Sequence, residues 1–259
     1  MAILYIASKD NPKIKHLRAL IEQNQYRKKH QQTVLEGTHL TLAWLQTQQP
    51  IVSIFTTEAA LAHPDFEQIQ EQYTGHIFVI SEVLYKDLSG LGTSLACLTI
   101  IDLPRSSHAL QFDVDTLILD NVQDPGNVGT LLRSAAAANV KQIVCTHGVA
   151  ALWSPRVLRA GMGAHFSLHC YENVDLAQIL PKFQIPVFVT SSHEPESIYK
   201  QDLTHACAWI LGNEGQGASE TALTHAKAVT IPQPGGQESL NVAIAGSICL
   251  FEMSRQRLA

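Results

Sequence analysis

The sequence predicts an α/β protein with two domains, and two observations lead to this fold class. The chain has 259 residues, 46% of them hydrophobic, which is long for one domain and apolar enough for two separate cores. Short apolar segments of strand character alternate with helical patterns along the chain. This alternation is typical of sheets that are covered by helices.

The first domain is predicted to span residues 1–103. A helix is expected after Pro12, and three apolar segments are expected to be strands: IVSIFTT at 51–57, HIFVIS at 76–81 and ACLTIID at 96–102. The polar stretch at 104–115 begins with Pro104 and is predicted to be a linker.

The second domain is predicted to span residues 116–259. Its strands are apolar throughout, which favours a mostly parallel sheet with both faces buried. Helices are expected after the first strand, near 155–161, and from about Ser239 onward. The expected strands are TLILD at 116–120, KQIVC at 141–145, PVFVTS at 186–191, CAWILG at 207–212 and AVTIP at 228–232.

Composition excludes several classes of protein. The five cysteines are scattered, without a CxxC pair, which predicts reduced, buried thiols rather than a disulfide framework or a zinc site. The twelve histidines include no HExxH or paired-ligand spacing, so no metal is expected. The opening MAILYIASKDN lacks a basic leader and is too short for a signal peptide or a membrane span. We therefore predict a cytoplasmic protein that does not bind membranes.

Charge is unevenly distributed along the chain. The net charge is −5, yet residues 1–40 carry seven basic and three acidic side chains, which leaves −9 for the rest. Clustered Lys and Arg are what phosphate binding requires, although a solvated helical face is the plainer interpretation of a short basic run. The side chains predicted to contact RNA are Lys13, Lys15, Arg27, Lys28 and Lys29.

Three segments of the second domain carry chemistry. In DNVQDPGNVGTLLRSAAAANV at 120–140, a strand runs through turn residues into a helix that contains Arg133, a charge that needs an anion or a polar site. WILGNEGQGAS at 209–219 is a strand followed by a glycine loop, but its spacing is not the dinucleotide-binding GxGxxG. VTIPQPGGQESLNVAIAGSICLFE at 229–252 passes through a Pro/Gly loop into an apolar helix, which Ser239 is expected to cap and in whose first turn Asn241 is expected to lie.

Together, and in this order, these segments resemble the signature motifs of the SpoU (TrmH-like) family of the SPOUT methyltransferases. The resemblance depends on NxxDPGNxGxxxR at 121–133, LGNEGxG at 211–217 and IPxxGGxESLNVAxA at 231–245. Ala243 and Gln233 depart from residues common in the family, Ser and Met respectively. The opening SKDNPKIKHLRAL and VLEGTHL also resemble the N-terminal substrate-binding domain of many members, which is similar in fold to a ribosomal-protein RNA-binding module.

The resemblance implies a fold that general rules would exclude, because chain knots are very rare. In it, the C-terminal segment threads a loop to form a deep trefoil knot, and the knotted loops bind S-adenosyl-L-methionine. The residues implied to bind this cofactor are Thr190, Leu211, Gly212, Asn213, Gly215, Ile231, Gln233 and Leu240. The resemblance also implies a homodimer, for which the apolar face of the helix at 240–251 is a candidate surface and core packing the alternative.

The implied activity is methylation of a ribose 2'-hydroxyl, with ribosomal RNA preferred to transfer RNA as the substrate. Arg133 is implied to lie at the ribose, with Asn127, Glu214, Ser239 and Asn241 around it. Because arginine keeps its proton in proteins, we expect Arg133 to bind phosphate and stabilise the developing alkoxide rather than act as a base.

Two other functions compete with RNA methylation as interpretations of the sequence. A non-catalytic RNA-binding protein would keep the fold and the basic residues, but it would not need Arg133, Glu214, Ser239 and Asn241 together. A nucleotide-dependent dehydrogenase would need a glycine-rich first βα turn followed by an acidic ribose ligand, and the sequence has neither.

Overall fold

The computed structural model describes residues 2–90, 95–104, 108–191, 196–236 and 239–258. The chain forms two compact units. The first consists of residues 1–105 and 153–166, and the second of residues 106–152 and 167–259. Each unit is built around its own sheet.

The first unit contains a five-stranded sheet in the order β1-β4-β3-β5-β2. β4 is parallel to β1 and β3, and β5 is antiparallel to β3 and β2. The strands are β1 (Ala2–Ile6), β2 (Gln32–Glu36), β3 (Ser53–Thr56), β4 (His76–Ile80) and β5 (Cys97–Asp102). The helices are α1 (Pro12–Glu22), α2 (Asn24–His30), α3 (Thr38–Gln46), α4 (Glu58–Leu61), α5 (Pro64–Gln72) and α6 (Glu82–Leu88).

Local sequence explains where α1 begins and how it is held. The Asn11 side chain accepts a hydrogen bond from Lys13 N at 2.9 Å, and Pro12 occupies the first helical position, where its missing N–H costs nothing. The buried face of α1 consists of Ile14, Leu17 and Leu20, at helical spacing. This face packs on the sheet and leaves the charged side chains of the helix toward solvent.

The second unit contains a six-stranded sheet in the order β11-β9-β10-β6-β7-β8, and every neighbouring pair in it is parallel. This confirms the prediction of a parallel sheet. The strands are β6 (Thr116–Leu119), β7 (Gln142–Cys145), β8 (His169–Tyr171), β9 (Val187–Thr190), β10 (Ala208–Leu211) and β11 (Lys227–Val229). The helices are α7 (Pro125–Ala137), α9 (Leu176–Ile179), α10 (Glu220–His225) and α11 (Val242–Leu258).

The remaining helix, α8 (Pro155–Gly161), differs from the predicted domain division. The sequence places it in the second domain, but residues 153–166 belong to the first unit. Leu158 is fully buried in a cluster with Leu35 and Trp44, and Arg159 lies 2.9 Å from the Glu36 carboxylate. The residue pattern of this short helix does not show which of two sheets the helix covers.

The strand order of the second sheet determines where a ligand can bind. The chain runs from β6 outward to β7 and β8, then returns to the other side of β6 to form β9 and β10. The order therefore reverses between β6 and β10, and the crevice at the carboxyl ends of such strands is the usual ligand position in open α/β sheets. The loops that follow β6 and β10 meet at this edge.

Four of the five cysteines are buried, as predicted, and Cys170 is half-buried. Burial raises the pKa of the Cys170 and Cys207 thiols to about 12, so these side chains are unreactive apolar groups. Within the described ranges, no helix has the length and hydropathy needed to cross a membrane.

Candidate functional site

The segment after β6 is held by a buried carboxylate. Asp120 is 5% exposed, and its side chain accepts hydrogen bonds from Ser219 N at 2.8 Å and from the Thr146 hydroxyl at 3.2 Å. It therefore joins the ends of β6, β7 and the loop after β10. Asp120 is not among the predicted site residues, although an acidic residue at the end of an apolar strand is a signal that could have identified it.

Helix α7 begins directly after this segment, at Pro125. Asp124 caps the helix by accepting a hydrogen bond from Asn127 N at 2.8 Å, and Pro125 takes the first helical position. The DPGN sequence is thus a capped helix start, as predicted from its residue types. The cap fixes Asn127 in the first turn, at the carboxyl edge of the sheet.

The loop after β10 is held in a compact turn by the side chain of Asn213. Its Asn213 side chain accepts hydrogen bonds from Gly215 N at 2.9 Å and Gln216 N at 3.0 Å, and donates one to Asn121 O at 2.9 Å. A Cβ atom on Gly212 would lie 2.1 Å from Ala218 N, so no other residue fits there without moving the main chain. The glycines serve the folding of the loop itself.

Glu214 connects this loop to α7 and its cap. The carboxylate accepts hydrogen bonds from Asp124 N at 3.2 Å, Gln123 N at 3.3 Å and the Asn127 side chain at 3.1 Å. Burial acts to raise the pKa of Glu214, but these hydrogen bonds outweigh it and lower the pKa below its ordinary value. The carboxylate is therefore ionised and fully engaged at neutral pH, so it is better suited to positioning than to accepting a proton.

Asn241 completes the network and corrects one prediction. Its side chain donates to Asn127 Oδ1 at 3.0 Å and accepts from Ala243 N at 2.9 Å and Ile244 N at 3.2 Å. Asn241 is thus the N-terminal cap of α11, and Ser239, which was expected to cap it, is exposed before the helix begins at Val242. The predicted residues Asn127, Glu214 and Asn241 lie together.

A cavity of about 940 Å³ opens beside this network. Seven of the eight residues predicted to bind the cofactor line it, together with the predicted residues Glu214, Ser239 and Asn241. The other lining residues, which were not predicted, are Ser191, Gln216, Gly217, Ala218, Leu223, Thr230, Val242 and Ala245. The seven are Thr190, Gly212, Asn213, Gly215, Ile231, Gln233 and Leu240.

Leu211 is the exception. Its side chain is fully buried, and its carbonyl accepts a hydrogen bond from Asp120 N at 2.8 Å. A Cβ atom on Gly246 of α11 would lie 2.3 Å from a Leu211 methyl carbon, so this leucine packs against the C-terminal helix. Leu211 supports the floor of the site and does not line the cavity.

Gln233 gives the cavity a polar feature with no partner. Its Oε1 atom is buried and has no hydrogen-bond partner among the described residues. An unsatisfied buried amide oxygen costs about 1–3 kcal/mol, so it is a position where a ligand donor would be stabilised. The cavity also falls within the volume range of small-molecule sites. An adenosyl cofactor with amino groups fits both features.

Arg133 lies on α7, six residues after Asn127, and does not line the cavity. Its side chain is exposed and makes no hydrogen bond or ion pair with any residue that the structure describes. The arginine is therefore available to a negatively charged partner from solution.

The residues predicted to contact RNA lie in the first unit, on α1 and α2. Lys13, Lys15, Lys28 and Lys29 are exposed, and Lys15 lies 3.1 Å from Asp10. Arg27 differs: it is 6% exposed, and its guanidinium donates to the carbonyls of Leu20 at 2.7 Å and Ile21 at 3.1 Å. These hydrogen bonds join α2 to the end of α1, so Arg27 has a structural role. The prediction that Arg27 contacts RNA is therefore wrong.

No group of three or more His, Cys, Asp or Glu side chains with the geometry of a metal site occurs in the described part of the chain.

The fold and the cavity define an α/β protein whose ligand site is formed by loops at the carboxyl edge of a parallel sheet. Residues 116–251 match the SpoU rRNA Methylase family, and residues 11–98 match the MRM3-like substrate binding domain. An uncharacterized tRNA/rRNA methyltransferase of Synechocystis is 35% identical over 99% of this chain and 96% of its own length. The chain belongs to the SpoU rRNA methylase family.

Solved structures agree with this assignment over the whole chain. The crystal structure of an RNA 2'-O ribose methyltransferase has a TM-score of 0.87 and 27% identity, and covers 99% of this chain and 100% of that one. The AdoMet-bound rRNA methyltransferase from Sinorhizobium meliloti has a TM-score of 0.84 and 25% identity, with 99% of each chain covered. The predicted family and two-part α/β fold are confirmed.

Proposed function

We propose that this protein transfers the methyl group of S-adenosyl-L-methionine to a ribose 2'-hydroxyl of ribosomal RNA. The observation that carries the proposal is the juxtaposition of Asn127, Glu214 and Asn241 at one edge of a cavity lined by seven residues predicted to bind the cofactor. Membership of the SpoU rRNA methylase family supports it, as do the RNA 2'-O ribose methyltransferase and AdoMet-bound relatives.

The cofactor would be held by residues 212–218, 230–236 and 239–241, with Gln233 accepting from one of its amino groups. When bound, it supplies an electrophilic methyl group on a sulfonium, so the reaction needs no metal. In the transfer, the 2'-oxygen would gain the methyl group, the cofactor sulfur would keep the electron pair of the broken carbon–sulfur bond, and the hydroxyl proton would pass to solvent. Orientation of the two reactants then supplies much of the acceleration.

The protein side chains divide this work. Glu214 orients Asn127, which in turn orients Asn241, so the amides stay at the edge of the cavity. Arg133 binds the RNA phosphate and stabilises charge on the 2'-oxygen in the transition state. Ser239 stands exposed at the cavity rim, where its hydroxyl can contact the ribose. We further propose that the C-terminal part of the chain forms the deep trefoil knot that the family motifs imply.

The test is methyl transfer to RNA combined with mapping of the modified position. Purified protein with labelled cofactor should methylate ribosomal RNA from cells that lack the gene, and leave RNA from cells that carry it almost unlabelled. Mapping should locate the label on a ribose 2'-oxygen. Cofactor binding by calorimetry without any methyl transfer would instead support a non-catalytic RNA-binding protein, and labelling of a base would exclude the proposed acceptor.

We also propose that the protein is a homodimer that works in the cytoplasm. On α11, Ile244 is 54% exposed and Phe251 51% exposed, and with Ile248 they form one stripe at helical spacing. Of the other apolar side chains of the predicted face, Val242 and Leu250 are in the core and Leu240 lines the cavity, so only part of that face can join two chains. The reduced thiols suit a reducing compartment.

Sedimentation should show a dimer at micromolar concentration. Replacing Ile244 and Phe251 by Asp should produce a folded monomer, and the same change at Leu223, exposed on α10, should leave the dimer intact. A wild-type monomer at that concentration would contradict the assembly.

A further inference from the structure

Three aromatic side chains form a cluster on α1 and α2 that the catalytic site does not explain. The rings of Tyr26 and His30, one helical turn apart, are stacked with centroids 4.1 Å apart and an interplanar angle of 27°. His16 of α1 meets both rings edge-on, at 5.5 Å from Tyr26 and 5.3 Å from His30. We refer to Tyr26, His30 and His16 as the aromatic platform.

Core packing and hydrogen bonds fix the position of the aromatic platform. Tyr26 packs against the hydrophobic core of the first unit, and its hydroxyl lies 3.0 Å from His16 Nδ1. His16 Nε2 lies 2.9 Å from Gln32 Oε1, and the Gln32 amide donates to Asp102 at 3.0 Å. These contacts, with the Arg27 guanidinium on the end of α1, hold the short helix α2 so that the ring positions are set before any ligand arrives.

His30 is the exposed ring of the platform, and Tyr26 is stacked on one side of its imidazole. Because the three centroid separations are similar, His16 lies beside the stacked pair and not over the far face of His30. A flat ligand can therefore extend the stack from Tyr26 through His30.

The surroundings of the platform are cationic. Lys28 and Lys29 precede His30 in the chain, and both are exposed without an ion-pair partner in the described part of the structure. A ligand with a flat aromatic group and an adjacent negative charge matches an imidazole face flanked by ammonium groups. Nucleotides have both features, and bases that are not paired in a helix stack on aromatic side chains, including histidine.

We propose that the aromatic platform is a binding site for an unpaired nucleobase of the RNA substrate, which stacks on His30 while Lys28 and Lys29 contact the flanking phosphates. This inference rests on the proposed RNA substrate and adds a feature to it: the RNA must present an unstacked base, in a loop or bulge, to the first unit. The lysines attract any RNA, whereas the stack selects single-stranded bases.

The test compares two labelled RNAs, a hairpin with an unpaired loop and a blunt duplex of the same length, by fluorescence anisotropy with the full chain. Loss of one stacking contact should weaken hairpin binding about tenfold in His30→Ala and leave duplex binding unchanged. His30→Phe should restore hairpin affinity, since it restores a stacking face. His39→Ala, an exposed helical histidine in the same unit, is the matched control and should change neither affinity.

Unchanged hairpin binding in His30→Ala, equal losses on both RNAs, or failure of His30→Phe to restore affinity would each overturn the stacking site. In all three cases wild-type binding and methyl transfer would persist, so the proposed function would survive. If the wild-type chain binds neither RNA, the stacking site and the RNA substrate fail together. Circular dichroism of His30→Ala checks that α2 is intact, and a substitution at this exposed position is not expected to unfold it.

Discussion

The loops of the second unit and the helix pair α1–α2 of the first hold their polar side chains in different ways. Around the cavity, Glu214, Asn127 and Asn241 are hydrogen-bonded to one another and to main-chain amides. On α1 and α2, Lys13, Lys28 and Lys29 are exposed and make no ion pair with a described residue. The first arrangement has one geometry and suits a single small ligand. The second is an adjustable field of charge that suits a polyanion.

Two arginines show the same contrast at the level of one residue. Arg27 is buried on two carbonyls, and burial lowers the pKa of its guanidinium, while Arg133 is exposed on a rigid helix. Both have sequence neighbours that favour a functional role. An arginine whose donors are already used by the main chain stabilises the fold, and one whose donors are unused can act on a ligand.

The largest effect is expected from removing Arg133. If its charge stabilises the 2'-oxygen in the transition state, Arg133→Ala should lower single-turnover methyl transfer by about 10²- to 10³-fold, on the scale of one lost oxyanion donor. Arg133→Lys should rescue poorly, because a point charge cannot reproduce the planar fork of donors.

Calorimetry in parallel should show unchanged cofactor affinity, since Arg133 does not line the cavity. A variant that methylates at about the wild-type rate would remove Arg133 from the mechanism and leave the fold assignment untouched.

The next effect concerns the adjustable surface. Changing Lys13, Lys15, Lys28 and Lys29 together to Gln should weaken RNA binding about 10- to 100-fold at low salt. The dependence of log K on log salt should flatten by about 1 for each lysine that contacts phosphate. Cofactor affinity should not change.

Arg27→Gln is the contrasting variant. It should lower the melting temperature and leave the salt dependence as in wild type, because its guanidinium binds carbonyls of α1. An unchanged salt dependence in the lysine variant would make α1 and α2 an ordinary solvated surface.

The same contrast explains what the sequence could predict. The parallel sheet was predicted from the apolar strands. Seven of the eight residues that the family motifs implied for the cofactor line the cavity, since a tight loop requires particular residues such as Gly212. The structural role of Arg27 could not be predicted from the sequence. Its hydrogen-bond partners are main-chain carbonyls of α1, and no pattern of residue types shows where such carbonyls will lie. Likewise, Leu158 could have covered either sheet, and only packing decides.

A smaller effect is expected at Gln233, where the cavity has an unsatisfied polar atom. Gln233→Met should weaken S-adenosyl-L-methionine binding several-fold, because one hydrogen bond contributes about 0.5–1.5 kcal/mol. The same change should raise the melting temperature of the cofactor-free protein, since it removes a buried oxygen without a partner.

The expected result for Gln233→Met is therefore a lower cofactor affinity in calorimetry together with a higher melting temperature in thermal unfolding. Tighter cofactor binding by Gln233→Met would show that the amide only costs stability and does not meet the ligand.

The smallest effect concerns pH and Glu214. The pKa of this carboxyl is lower in the folded protein than its ordinary value of 4.5, so its hydrogen bonds stabilise the fold above that value and are lost as the pH falls through the lowered pKa. Glu214→Gln should therefore lower the melting temperature at neutral pH, and the difference from wild type should disappear in acid.

Because the residue is exposed and screened by solvent, the difference should be only on the order of 1 °C. Asp175→Asn, at an exposed helix cap away from the cavity, controls for the loss of any capping carboxylate, and it should not alter cofactor affinity. Glu214→Gln should alter that affinity, since the loop that it holds lines the cavity. A melting-temperature difference that grows in acid would mean that the ionised carboxylate of Glu214 stabilises the fold less than its protonated form does. The hydrogen-bond network around Glu214 would then serve ligand binding at the expense of stability.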